Sequence, residues 1–449
     1  MKQRNIHIVS LGCPKNLIDS EVMAAILSEN NYRIVSQAHD ADVILINTCA
    51  FILPAKEESI DEILRLAQLK KERAAVKLVV TGCLPQRYGK SLSDALPEVD
   101  LFLGTHEVPE ITRYVDHLFQ REASRNRSVI HKPRFLMDAG HPRLLSTPFY
   151  RAYLKIAEGC SNRCAYCVIP DLRGRARSRP VEDILKEAQN LAARGVKELI
   201  LTAQDTTAYG KTLKGKPTLS VLLKQLVAVD GIEWIRLLYA YPTGLSRELL
   251  EIIAGEDKIC KYIDIPVQHI DNAILQAMNR RGDSALIRKV MANARAIIPQ
   301  VALRTSVIVG FPGETPAKSQ RLLSFIREAR FDHLGAFKYS REEGTAAAGL
   351  PRQVSDRVKD ARRNAIMEEQ AVISWEINRS LLGTDAKVLV EGTSAVAEYP
   401  YVGRLARQAP DIDGVTYLKG SNLVPGDFVE CRITGCDEYD LYAAIDPAN

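Results

Sequence analysis

Cys160-Ser-Asn-Arg-Cys164-Ala-Tyr-Cys167 sets three thiols within eight residues, with gaps of three and two between them. A loop this rich in thiols wraps one corner of a metal cluster, and the chain on either side has to hold it there. Iron–sulfur clusters usually take four thiolates, so a loop that offers three leaves one iron open to a ligand that is not protein. The competing reading is a zinc site short of its fourth ligand, since structural zinc takes four N or S donors. The nearest histidines, His141 and His131, lie upstream at unhelpful distances.

The rest of the chain reads as scaffold for such loops. Residues 4–120 alternate strand and helix patterns: apolar runs at Ile6 to Leu11, Val43 to Ile46, Leu78 to Thr81 and Leu101 to Leu103 look like buried parallel strands, with helices expected at Leu17 to Asn30 and Lys56 to Arg73. This is an α/β, doubly wound parallel sheet. Cysteines follow three of the strands, in Ser10-Leu-Gly-Cys13, Asn47-Thr-Cys49 and Thr81-Gly-Cys83. Open parallel sheets bind ligands at the carboxyl ends of their strands, so Cys13, Cys49 and Cys83 are expected to meet on one edge and hold a second cluster. Glycines 12 and 82 would let the backbone pass close to a bulky inorganic group. The bland alternative is three buried free thiols.

A linker rich in Arg, His and Pro spans 121–145. A second βα series occupies 146–377, with strands expected at Tyr153 to Ala157, Glu198 to Thr202, Trp234 to Tyr239, Tyr262 to Ile265, Ala302 to Val309 and His333 to Tyr339. Six βα units fall short of the eight of a closed barrel, so a partial (βα)6 barrel is expected, with function on the loops after its strands. Those loops carry the cysteine triplet, then Gln204-Asp205-Thr-Thr-Ala-Tyr-Gly210, Tyr239-Ala-Tyr241-Pro242, Gln268-His269 and Ile308-Val-Gly310-Phe-Pro-Gly313-Glu314. Turn chemistry explains Gly310 and Gly313 equally well, and His269 reads equally as a satisfied core histidine. A long helix follows at Ser355 to Leu381, with Arg357, Lys359, Arg362 and Arg363 read as a solvated charged face.

Residues 379–449 switch to short strands between Gly, Pro and Asp turns, a small five-stranded OB-like β-barrel. Its Asp411-Ile-Asp413-Gly414 and Pro425-Gly426-Asp427 stretches resemble the TRAM domain, an accessory module that often binds RNA. From Arg379 onward there are six basic and eleven acidic residues, Asp446 included, so this module carries −5 in a chain whose total is +5. RNA-gripping folds present a basic groove to phosphates, so the acidity suits a basic protein partner, while the +10 elsewhere leaves room for RNA contact. The 449 residues contain no apolar run near the roughly 20 that cross a bilayer. Met1 to Ser10 lacks the apolar region of roughly 7 to 15 residues that an export signal carries, and nine cysteines are too sparse for a disulfide scaffold. A cytoplasmic chain is expected.

The cysteine loop resembles the signature of the radical S-adenosylmethionine (SAM) superfamily. Together with Leu-Gly-Cys13-Pro-Lys-Asn, Asn-Thr-Cys49-Ala-Phe, Thr-Gly-Cys83 and Val-Gly310-Phe-Pro-Gly-Glu, it makes essentially the whole chain similar to the radical SAM methylthiotransferase family. The loops at Gln204, Arg236 to Pro242 and Pro266 to His269 resemble its ribosomal-protein branch, which modifies the β-carbon of an aspartate in small-subunit protein S-twelve. The alternatives are the branch that modifies an adenosine beside the tRNA anticodon and a non-catalytic, cluster-binding ribosome-associated protein.

The resemblance implies two 4Fe-4S clusters, one on Cys160, Cys164 and Cys167 and an auxiliary one on Cys13, Cys49 and Cys83. It also implies SAM held by Tyr166, Gln204, Asp205, Gln268, Ile308, Gly310 and Glu314, and no catalytic side chain beyond the cluster ligands. An electron from reduced flavodoxin or ferredoxin would cleave SAM to methionine and a 5′-deoxyadenosyl radical. That radical would remove a hydrogen from the aspartate, and sulfur from the auxiliary cluster and a methyl group from a second SAM would follow. Cys260, Cys431 and Cys436 are left over as ordinary thiols.

Overall fold

The computed structural model describes residues 3–120 and 127–445; part of the expected linker, 121–126, and the acidic residue Asp446 lie outside them. The N-terminal sheet has strands β1 Arg4–Ser10, β2 Tyr32–Ile34, β3 Val43–Thr48, β4 Lys77–Gly82, β5 Leu101–Leu103 and β6 Ser128–Val129. They are all parallel, in the order β2-β1-β3-β4-β5-β6. β3 is buried at every position because both faces of the sheet are covered. Val43 and Leu45 pack on Ile18, Val22 and Leu27 of helix Pro14–Glu29, while Ile44 and Ile46 pack on Ile63 and Leu66 of helix Leu53–Ala67. The second helix ends at Ala67 and a separate turn, Leu69–Glu72, follows where one helix was expected. Edge strands β2 and β6 have only three and two residues, too short to stand out as apolar runs.

The partial barrel follows. Its strands β7 Arg151–Lys155, β10 Glu198–Thr202 and β11 Trp234–Leu237 form one parallel sheet, and β12 Tyr262–Asp264, β13 Ala302–Val309 and β14 His333–Lys338 form another. A lone bridge between Ile235 and Ile259 joins them. Between β7 and β10, the short antiparallel pair β8 Ala157–Glu158 and β9 Arg177–Ser178 brackets the cysteine loop. Alternate residues of these strands face opposite sides. Ala152, Leu154, Leu199 and Leu201 join the cluster that holds the outer helices, whereas Tyr153 and Ile200 join the cluster shared with the N-terminal domain.

Five strands, β15 Asp385–Thr393, β16 Tyr401–Leu405, β17 Thr416–Lys419, β18 Phe428–Cys436 and β19 Leu441–Ala444, close the C-terminal barrel. It docks on the N-terminal ends of the central strands. Glu198, the first residue of β10, pairs with Arg404 at 2.6 Å and with Arg236 at 2.8 Å, and all three side chains are buried. Tyr262, the first residue of β12, donates to Asp413 at 2.8 Å, and Arg407 pairs with Asp332 at 2.5 Å. This corrects the charge reading of the C-terminal module: Asp413 is buried against Tyr262 and Arg304, Glu391 is largely covered by Arg151 and Arg404, and Asp411 pairs at the surface with Arg151 and Tyr153, so its acidity is not all free for a partner.

Helix Asp356–Arg379 also departs from its expected solvated face. Lys359 is buried against Gly310, and Arg362 pairs with Glu314 at 3.1 Å, so part of the charged side holds the barrel.

Candidate active site

The strand order reverses between β1 and β3, which opens a crevice at the carboxyl ends of those strands. Cys13 caps helix Pro14–Glu29 after β1, Cys49 follows β3, and Cys83 opens helix Cys83–Ala95 after β4. Gly12 and Gly82 have φ of 87° and 96°. A Cβ on Gly12 would stand 2.7 Å from the Cys49 Cβ, and one on Gly82 would stand 2.7 Å from the Thr48 carbonyl. Both glycines therefore hold positive-φ turns packed closely on protein beside the cysteines, a constraint of the fold itself that stands beside the approach of an inorganic group expected from sequence.

The three thiols sense one another. Burial pushes Cys49 up to about 12, with Cys83 and then Cys13 adding to it. Burial likewise raises Cys83, against the opposing pull of Arg173. At Cys13 burial is outweighed by Lys15 and Arg173, so its thiol stands below the ordinary value.

The second triplet lies across the interface. The Cys160 amide donates to the Gly174 carbonyl at 3.0 Å, Cys167 N–H turns back to Cys164 O at 3.1 Å, and Ala165 N–H reaches Met278 O at 2.8 Å. These bonds fix the loop without regular structure. Burial raises Cys160, and it raises Cys167 to about 12 with help from Cys164 and Cys160. Among the described residues, no group of three or more His, Cys, Asp or Glu is drawn together tightly enough to hold one metal ion. A four-iron cluster asks for something different, since each thiolate takes its own iron and the ligands bound a larger space. Two groups of three cysteines, soft ligands once deprotonated, with Lys15 and Arg173 beside the first, fit that demand.

A buried charge network joins the triplets. Arg173, six residues after Cys167, pairs with Asp19 at 2.5 Å and also donates to Asn16 Oδ1. Asn16 in turn lies 3.8 Å from Cys83 Sγ and donates to the Leu11 and Thr48 carbonyls at 3.0 and 2.9 Å. Lys155, at the end of β7, bridges Asp19 at 2.5 Å and Glu158 at 2.9 Å. Burial works against the Glu158 charge, but Lys155 and Arg173 hold its pKa down to about 2. None of Asp19, Lys155, Glu158 or Arg173 was picked out from sequence. The available signal was Lys155 itself, a charge inside the otherwise apolar run from Tyr153 to Ala157.

The residues expected around SAM divide into two groups. Asp205 accepts from Asn162 at 2.9 Å beside Cys160 and lines a cavity with it, and Gln204 donates to Glu158 at 2.7 Å while its buried Oε1 has no partner. Tyr166 and Ile308 pack together with Ile274, Met278 and Phe311 as an apolar wall, and Gln268, in the loop after β12, bridges to Val307 of β13 with φ of 67°. Glu314 is committed to the interior: it accepts from the Gly310 amide, pairs with Arg362, and faces the His269 Nε2 at 3.6 Å. His269 is a core residue whose Nδ1 accepts from the Asp271 amide. A larger cavity of about 660 Å³ opens beside His106, Glu107, His131 and Arg134, and no cysteine lines it.

Three family models match the chain: uncharacterized protein family UPF0004 over residues 5–104, the Radical SAM superfamily over 154–326 and the TRAM domain over 382–445. Ribosomal protein uS12 methylthiotransferase RimO of Syntrophus aciditrophicus (strain SB) is 62% identical over 448 residues, 99% of each chain. Its counterpart in Geotalea uraniireducens (strain Rf4) is 52% identical over 445 residues, again 99% of each chain. Among solved structures, the radical S-adenosylmethionine methyltransferase TsrM of Kitasatospora setae, with cobalamin and a 4Fe-4S cluster bound, superposes with a TM-score of 0.56 at 15% identity over 77% of each chain. That likeness is one of fold.

Proposed function

The chain belongs to the ribosomal protein uS12 methylthiotransferase family, and from that premise we propose that it places a methylthio group on the β-carbon of an aspartate of uS12. In this reading Cys160, Cys164 and Cys167 hold the cluster whose fourth iron takes SAM, and Cys13, Cys49 and Cys83 hold the auxiliary cluster. When bound, the two clusters and SAM supply one-electron cleavage of an unactivated C–H bond, the sulfur and the methyl group. The protein's own residues bind, orient and exclude water. Asn162, Gln204 and Asp205 offer polar groups beside Cys160 for the amino acid end of SAM, and the wall of Tyr166 and Ile308 offers apolar surface beside the same loop. Gln268 and Gly310 border that wall and complete the proposed contacts, with Glu314 holding the Gly310 amide from behind.

The observation that carries this reading is the Arg173 bridge. A side chain from the helix that follows one cysteine triplet reaches Asn16 and Asp19 behind the other, which supports a crevice shared by both. Holding radical, target carbon and sulfur in a fixed relation is what this chemistry needs from its protein.

Reduced flavodoxin or ferredoxin is the proposed electron donor, and assembled small subunits, with some RNA contact, the proposed setting of the substrate. A cytoplasmic location accords with this. No helix among the described residues is long and apolar enough to cross a membrane.

The test is mass spectrometry of uS12 and of total tRNA from cells with and without this chain. Loss of about 46 Da from uS12, one sulfur and one CH₂, is expected. Loss of methylthioadenosine from tRNA with uS12 unchanged would move the enzyme to the other branch.

A further inference from the structure

Seven lysine and arginine residues are buried as whole residues among the described residues. Six of them, Lys155, Arg173, Arg179, Arg236, Lys359 and Arg404, have a carboxylate within 4.0 Å. Lys15 has none among the described residues. The residue is 7% exposed, and its Nζ sits 3.6 Å from the centroid of the Tyr239 ring. A buried ammonium without an anion is costly, and an aromatic face returns only part of that. Lys15 also occupies the first turn of helix Pro14–Glu29, where the helix dipole disfavours a cation. The groups that favour its charge are the Tyr239 side chain, the Cys13 thiol and Glu158, and that carboxylate is not within ion-pair distance.

Tyr239 is as unusual as its partner. It stands at the mouth of the barrel, past the end of β11, with φ of 60°, a conformation that bulky residues rarely adopt. Its amide donates to Asp264 at 3.0 Å, and its carbonyl accepts from the Thr206 amide at 3.1 Å and hydroxyl at 3.2 Å. The strain is thus held from both sides, and its product is a ring laid under Lys15. The pair spans the crevice between the N-terminal sheet and the barrel, two residues from Cys13.

We propose that Lys15 is the positioning and specificity residue for the substrate, its ammonium pairing with the side-chain carboxylate of the target aspartate. This rests on the aspartate reading above. In an aspartate the carboxylate is bonded directly to the β-carbon, so a carbon that takes sulfur from beside Cys13 presents its carboxylate within reach of a cation two residues away. The ion pair fixes which hydrogen faces the radical and rejects side chains that bring no charge. Its neutral analogue leaves the ammonium unpaired, the strongest form of rejection a buried site provides.

The test uses the full-length protein with both clusters reconstituted, without reductant, and measures binding of isolated uS12 and of uS12 whose target aspartate is changed to asparagine. Wild type should prefer the aspartate form by at least about tenfold, as expected when one partner of a buried charge pair is removed. Lys15→Met should bind both forms alike, and Lys15→Arg should restore the preference. Iron content reports whether each variant has folded and loaded its clusters. Undiminished preference in Lys15→Met overturns the proposal. So does a Lys15→Met protein that loses auxiliary-cluster iron or shifts that cluster's potential yet keeps the preference, which would make Lys15 a counter-ion of the cluster. Equal binding of the two forms by wild type that still modifies uS12 removes Lys15 alone. Modification of tRNA with none of uS12 removes the aspartate reading together with it.

Discussion

Glu198→Gln isolates the joint between the central and C-terminal barrels. Glu198 and Arg236 are wholly buried and Arg404 is 1% exposed, and the carboxylate lies 2.8 Å from Arg236 Nε and 2.6 Å from Arg404 Nη2. With the charge gone, Arg404 keeps Glu391 at 3.0 Å, but Arg236 is left, among the described residues, with the Ala406 carbonyl at 2.7 Å and no carboxylate. Breaking a buried pair by removing one partner costs about 3–5 kcal/mol, and the remaining Glu391 puts this case at the lower end.

The pKa gives a second route to the same figure. Burial opposes the Glu198 charge, but Arg404 and Arg236 lower its pKa from 4.5 to about 2. A shift of that size corresponds to about 3 kcal/mol. Because the folded value is depressed, this stability is fully present above the unfolded pKa and is lost as the pH falls from 4.5 towards 2. The assay is urea unfolding followed by tryptophan fluorescence in a Trp375→Phe background, which leaves Trp234 as the reporter, a buried indole that packs edge-on against Phe428 of the C-terminal barrel with ring centroids 4.8 Å apart. The gap between wild type and variant should be about 3 kcal/mol near neutral pH and should close towards pH 2. A neutral-pH gap below about 1 kcal/mol, or one that does not shrink on acidification, would refute the reasoning.

Other outcomes follow from the site. Cys164→Ala should abolish SAM cleavage while keeping about half of the iron, that of the N-terminal triplet; retained 5′-deoxyadenosine formation would end that assignment. Cys49→Ala should still cleave SAM but form no methylthio product, and normal product would remove the auxiliary cluster from the mechanism. Gly12→Ala, which forces a Cβ to 2.7 Å from that of Cys49 at a φ of 87°, should lose about half of the iron with SAM cleavage intact, and full iron content would show that the turn relaxes freely. Truncation after Leu381 uncovers Arg236 and Arg304, so the central barrel itself should unfold at lower denaturant; an unchanged midpoint would mean that the C-terminal barrel docks without supporting it.

The parts of the fold legible in sequence are those whose signal is local. Glu198–Thr202, Ala302–Val309 and Leu101–Leu103 stand where the sequence pattern put them, because each is a short, mostly apolar segment with clear breaks at its ends. The cysteine spacing is local too, and strand-end placement was enough to predict that Cys13, Cys49 and Cys83 share an edge. What could not be read is pairing between distant charges. Asp19 and Arg173 are 154 residues apart in sequence, and Glu198 and Arg404 are 206 apart. A tally of acidic residues cannot separate an Asp413 sealed against Tyr262 and Arg304 from a Glu430 on the outside. Lys359 and Arg362 misled for the same reason: a charged helix face is solvated only if nothing packs on it, and here Gly310 and Glu314 do.

These long-range pairs explain how three separately patterned units act as one frame. Apolar surfaces slide past one another at small cost, because hydrophobic contact is not directional. Buried ion pairs add little net stability over apolar packing, but they are satisfied in one register only, and a shift leaves a charge stranded. One such set, Asp19, Lys155, Glu158 and Arg173, lies where the N-terminal sheet meets the upper end of the central barrel, and another, Glu198, Arg236 and Arg404, lies where the C-terminal barrel closes its lower end. The upper set directly flanks both cysteine triplets. Their separation is therefore set by hydrogen-bonded charges in the resting fold, and substrate entry need not assemble it.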